Sequence, residues 1–146
     1  MFRPRRVVAP VDLTSSDEVA LRTAAGLARE NGGRLLLVHV LDSRAVEDVY
    51  NLHGLRAEEV RARMMANAEA AVVRLRKRPW LRGLRADVRY AFGLPPEEIV
   101  RAAADWRADL VVLVRRRKGG LSHLLYGRTS DTVVREAPCA VLVLAG

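Results

Sequence analysis

The sequence predicts an α/β protein: a single doubly wound, five-stranded parallel sheet with four helices. Three observations carry this. Apolar runs at Arg5–Val11, Arg34–Val40, Leu110–Val114 and Ala140–Leu144 are dominated by Val and Leu. Such runs suit strands covered on both faces by helices. Longer segments with helical spacing separate the strands, and right-handed crossovers turn that alternation into a doubly wound sheet. The third observation is size: 146 residues, half of them hydrophobic, fit one domain, residues 1–146, with a sizeable core.

The first strand, Arg5–Val11, ends on Asp12. Ser15 and Glu18 have capping-box spacing, so a helix is expected to start there. Its helical positions carry Val19, Thr23 and Leu27 beside Ala20, Ala24 and Ala28, and Asn31-Gly32-Gly33 is a stop signal. The second strand, Arg34–Val40, reads as buried on both faces. From Asp42 to about Gly54 the chain is expected to be irregular or partly helical, a mobile loop over the sheet edge. A long helix over Leu55–Lys77 follows, with Val60, Met64, Ala68, Ala71 and Leu75 on one face and Arg56, Glu59, Arg63, Glu69 and Arg76 on the other. Pro79 stops it. Leu84–Ala91 alternates and reads as an edge strand. Pro95, Pro96, Glu97 and Glu98 open the next helix, whose apolar stripe is Ile99, Ala102, Ala103 and Trp106. The strand Leu110–Val114, a basic glycine-containing loop, a helix of about Thr129–Glu136 and the strand Ala140–Leu144 complete the chain.

The net charge is +8, carried by 23 Arg and 2 Lys. Charge alone gives weak, salt-sensitive attraction to polyanions, so no nucleic-acid partner is expected from it. The run Arg74, Arg76, Lys77, Arg78, Arg82, Arg85 and Arg89 reads as a solvated helix end and turn. No apolar run approaches the length of a membrane helix, and the start of the chain lacks the pattern of a secretory signal. One cysteine forms no internal disulfide. A soluble cytoplasmic protein is the expectation.

No glycine-rich fingerprint follows the first strand, and no Gly-Lys-Ser/Thr sequence occurs, which excludes a dinucleotide Rossmann site and a Walker loop. The three histidines and Cys139 lack metal-ligand spacing. His123 beside Ser122 has no partner acid or oxyanion motif in the sequence. No residue set carries nucleophilic chemistry, and an enzyme is not expected. Met64, Met65 and Trp106 are expected to be core.

The last quarter of the chain resembles the universal stress protein family. Asp109-Leu110, Gly120-Leu121-Ser122, Leu124-Leu125, Gly127, Ser130, Val133, Arg135, Ala137-Pro138-Cys139 and Val141-Leu142-Val143 fall where family members have the same or similar residues. The likeness extends over nearly the whole chain and includes Gly93-Leu94-Pro95. It implies an adenine nucleotide alpha hydrolase-like sheet in strand order 3-2-1-4-5 and a role in stress resistance. It also implies a homodimer paired through Ala140–Leu144, an apolar edge that needs cover.

The family's ATP-binding pattern, G-x2-G-x9-G-[ST], is altered here. Its first two glycines fall on Val114 and Arg117 and its Ser/Thr on Arg128; the third glycine is Gly127. A phosphate cradle needs inward N–H groups and close approach of the chain, which glycine permits and β-branched valine resists. Loss of family-type ATP binding is therefore expected, with no cofactor. The alternative is a switch that binds ATP or another small phosphorylated ligand through Asp12 and the remodelled basic loop 115–130, with Arg115, Arg116, Arg117, Lys118 and Arg128 as side-chain donors. By the resemblance, Asp12 and Val40 would meet the adenine. Arg117, Gly127, Arg128, Thr129 and Ser130 would form the anion end, with Gly127–Ser130 read as the start of a helix.

Overall fold

The structure is a computed structural model that describes residues 1–12, 18–115 and 123–145, with the side chains of 123–128 outside that description. Five parallel strands, β1 (Arg6–Pro10), β2 (Arg34–Asp42), β3 (Ala86–Gly93), β4 (Leu110–Arg115) and β5 (Ala140–Ala145), lie in the order β3-β2-β1-β4-β5. The described helices are α1 (Glu18–Glu30), α2 (Ser43–His53), α3 (Ala57–Arg76), α4 (Pro95–Asp105) and α5 (His123–Glu136), plus a 3₁₀ turn at Pro79–Leu81.

The sheet is double-faced. Val7, Ala9, Leu35, Leu37, Leu110 and Val112 point to one side, where Ala20, Leu21, Ala24, Ala25 and Ala28 of α1 cover them. Val8, Leu36, Val38, Val111 and Leu113 point to the other, beneath Ile99, Ala102 and Ala103 of α4 and Val133 of α5. Each fully buried Leu or Val contributes about 1.5–3 kcal/mol by leaving water. Small alanines on α1 let that helix sit close to the strands. Val19 is 65% exposed, and Thr23 donates its hydroxyl to the Val19 carbonyl at 2.8 Å.

Several expected boundaries move. A fifth helix, α2, occupies the stretch read as a loop. Its only buried residue is Val46, with Ala45 and Val49 half-buried beside it. Its ends hold it: Asp42 accepts from the Arg44 N–H, and Gly54 at φ 63° returns its N–H to the Tyr50 carbonyl. β3 starts two residues late because Leu84 still belongs to a turn, its N–H bonding the Leu81 carbonyl. β5 is not buried on both faces: it has β4 on one side only, and its residues are half-buried or exposed. The capping-box Ser15 lies outside the described residues.

The amino ends of the strands are tied together. Asp109 accepts backbone N–H groups of Arg5 and Arg6 at 2.9 and 2.8 Å. The Arg6 side chain donates from Nε to the Trp106 carbonyl at 2.7 Å, and from Nη2 to the same oxygen. Gly33 passes so close to Arg5 that a Cβ there would overlap its backbone.

Candidate ligand site

In an open α/β sheet, ligands settle beyond the carboxyl ends of the strands, where crossovers diverge to opposite sides. Here that point lies between β1 and β4. A cavity of about 260 Å³ opens there. Pro10, Val11 and Asp12 enter from the end of β1; Val38, His39, Val40 and Asp42 from β2; and Leu113 and Val114 from β4. Met64 of α3, Pro95 and Ile99 of α4, and Thr129 and Ser130 of α5 close it. Mostly aliphatic walls with a few polar groups suit a compact ligand bearing an apolar ring.

The polar groups are organised locally. Val11 extends the β1–β2 ladder by donating its N–H to the Val38 carbonyl at 2.8 Å. Its own carbonyl lies 2.8 Å from Nδ1 of His39. A carbonyl only accepts, so Nδ1 carries the proton. The Tyr90 ring stands edge-on to His39, 6.4 Å between centroids. Asp42 takes three hydrogen bonds from Arg44: 2.9 Å from the backbone N–H, 3.0 Å from Nε and 2.7 Å from Nη2. Burial alone would raise the Asp42 pKa, but the Arg44 bonds and charge outweigh it and hold the carboxyl below its ordinary value. The Arg44 pKa moves up in turn, chiefly through its side-chain hydrogen bond to Asp42. Among the described residues, no cluster of His, Cys, Asp or Glu is arranged to hold a metal.

Of the residues singled out in the sequence, Asp12, Val40, Thr129 and Ser130 come together in this cavity. Arg117 lies outside the described residues, as does the side chain of Arg128. Gly127 lies inside α5, which begins at His123. The reading of Gly127–Ser130 as a helix start is therefore corrected. Inside a helix the N–H groups of that stretch bond carbonyls one turn back and are not offered to an anion. Sequence reasoning missed His39, Asp42 and Met64. The first two sit at the carboxyl end of β2, the edge where Val40 was already placed, and that position was the available signal. Met64 lines the cavity half-buried and is not sealed in the core.

The sequence profile of the universal stress protein family matches residues 4–145. The chain belongs to the universal stress protein family. Among relatives, a universal stress protein of Thermus aquaticus, from the QAH/OAS sulfhydrylase 3′ region, is 35% identical over 133 residues, covering 86% of this chain and 87% of its own. Among solved structures, MJ0577 of Methanocaldococcus jannaschii superposes with a TM-score of 0.80 at 22% identity, over 100% of this chain and 98% of that one. The universal stress protein of Archaeoglobus fulgidus in complex with dAMP gives a TM-score of 0.63 at 23% identity, over 98% of each chain. The structural likenesses establish the adenine nucleotide alpha hydrolase-like fold. Membership in the universal stress protein family supports a stress-related role. No described helix is long and apolar enough to cross a membrane.

Proposed function

We propose that this universal stress protein is a cytoplasmic, non-enzymatic homodimer that acts in stress resistance and does not hold ATP in the glycine-cradled manner of its family. One observation carries the reading. The β4 ladder continues through Val114 and Arg115, paired with Leu144 and Ala145. At the position of the family's first phosphate-loop glycine the backbone is therefore still an extended strand, and Val114 lines the cavity while packing against the α1-side core. A bulky β-branched residue there takes space that a phosphate chain would need. The exposed edge of β5, with Val141–Leu144 half-buried on a single neighbour, supports pairing of two copies.

A second reading is a nucleotide-dependent switch. It is favoured by the meeting of Asp12, Val40, Thr129 and Ser130 in one cavity, and by the dAMP complex of the Archaeoglobus relative. Calorimetric titration with ATP·Mg and with adenosine separates the two. The first reading expects no saturable heat from ATP. It also expects that Val114→Gly, Arg117→Gly and Arg128→Ser together create or raise ATP affinity. An adenine nucleotide that copurifies with the wild-type chain, or tight saturable ATP binding to it, establishes the second reading instead. Light scattering at twice the mass of one chain is the expected result for the dimer; the mass of one chain contradicts it.

A further inference from the structure

The arginines scattered along the sequence meet at the end of the sheet opposite the cavity. Arg34 is the register partner of Arg6, and Ala86 that of Leu35, so Arg85, Arg34 and Arg6 stand side by side at the starts of β3, β2 and β1. Neighbouring strands lie about 4.8 Å apart, which brings three guanidinium-bearing positions within about 10 Å. Two of them are already held: the guanidinium carbons of Arg6 and Arg34 lie 4.7 and 5.3 Å from the centroid of the Trp106 ring. A guanidinium stacked on an indole loses less freedom when it takes a further partner. Arg5 precedes Arg6, Arg107 follows Trp106 and Arg82 lies three residues before Arg85; all three are exposed and without an ion pair to any described residue.

The carboxylates of this end do little to cancel it. Asp109 is occupied by backbone N–H groups, and Asp105 by Arg89 at 2.9 Å. Asp87 stands 3.8 Å from Arg85, and both side chains are largely solvated, a pairing of small worth. Glu30 is exposed at the end of α1. Phe2, just before β1, is 61% exposed and offers a ring on which a base can stack. Arg6 spends Nε and Nη2 on the Trp106 carbonyl and adds charge only, so the planar forks that can match phosphate oxygens two at a time are those of Arg34 and Arg85, which favours phosphodiesters over simple attraction to negative charge.

We propose that this arginine-lined end docks the phosphate backbone of a nucleic acid without reading its sequence. The proposal is independent of what the cavity holds, since the two lie at opposite ends of the strands. It is tested by fluorescence anisotropy with a labelled single strand and its duplex over a salt series. The wild type should bind with Kd on the order of 10⁻⁴–10⁻⁶ M at physiological salt, more tightly as salt falls. Arg5→Gln, Arg82→Gln and Arg85→Gln combined should weaken binding and flatten the log–log salt slope on the single strand by about 2, if three phosphate contacts are lost. Arg22→Gln, Arg56→Gln and Arg63→Gln remove the same charge from exposed positions of α1 and the start of α3. That variant should bind like the wild type. Melting by circular dichroism checks that both variants fold. The proposal is overturned if neither nucleic acid binds in a salt-dependent way, or if both variants weaken alike, which would mean diffuse charge. It is equally overturned if phosphatidylserine vesicles compete for the wild type better than either nucleic acid.

Discussion

Three glycines within eight residues should respond to alanine in three different ways. At Gly33 an added Cβ would overlap the carbonyl oxygen, carbonyl carbon and Cα of Arg5. None of these is a flexible side-chain end, so β1 must retreat from β2. That retreat strains the 2.7 Å bond from the Arg34 N–H to the Arg5 carbonyl, and the two N–H bonds to Asp109. A buried backbone group left unsatisfied costs about 1–3 kcal/mol; with partial rescue by water at a strand end, Gly33→Ala should cost about 3 kcal/mol. Gly32 has φ 63° with nothing near its would-be Cβ, so Gly32→Ala pays only the left-handed backbone, about 1 kcal/mol. Gly26 lies inside α1 with open space around it, and Gly26→Ala should gain about 0.5–1 kcal/mol. Urea unfolding followed by far-ultraviolet circular dichroism measures all three, with the m-value constant. At roughly 2–4 °C per kcal/mol for a chain of this size, Gly33→Ala should melt about 6–12 °C below the wild type. A Gly33→Ala protein within about 0.5 kcal/mol of wild type, or less damaged than Gly32→Ala, would refute the close approach as the reason for the glycine.

Two further predictions concern protons. Asp42 is held below its ordinary pKa of 3.8, so its ionised form adds stability that is fully present above that value and is lost as pH falls through the lower, folded pKa. Asp42→Asn keeps the cap but should flatten the loss of stability below pH about 4, measured as unfolding midpoint against pH; an unchanged acid limb contradicts the Arg44 pairing. Burial, followed by the charge of Asp109, pushes the Cys139 thiol up. Since the thiolate is the reactive form, Cys139 should be alkylated more slowly at pH about 8 in the folded chain than in urea. Equal rates would show the sulfur to be open to solvent.

Much of the architecture was legible because burial on both faces leaves an unbroken apolar run. β1, β2 and β4 sit in the middle of the sheet and were readable to within a residue or two. α2 was legible only as a partly helical stretch, because it is short and buries Val46 alone, while its firmest marks are its ends, Asp42 and Gly54. α5 begins at His123, ahead of the start that a glycine at 127 suggests, and keeps Gly127 within the helix. The strand order came from family likeness, since local spacing does not say which strands are neighbours. In the cavity, Asp12, Val40, Thr129 and Ser130 could be named from family positions. His39 and Met64 could not, because a strand histidine and a helix methionine look like ordinary packing until the fold turns them toward a shared space.

The grip of Asp109 on the first strand has a consequence for synthesis. Its carboxylate bonds the Arg6 N–H across 103 residues of chain. On the ribosome β1 emerges long before its anchor exists, and β4, its second neighbour, arrives equally late. β1, though central in the finished sheet, must wait with one edge open until β4 has been made. Contacts so distant in sequence slow assembly and prolong the interval in which an apolar edge can find a wrong partner.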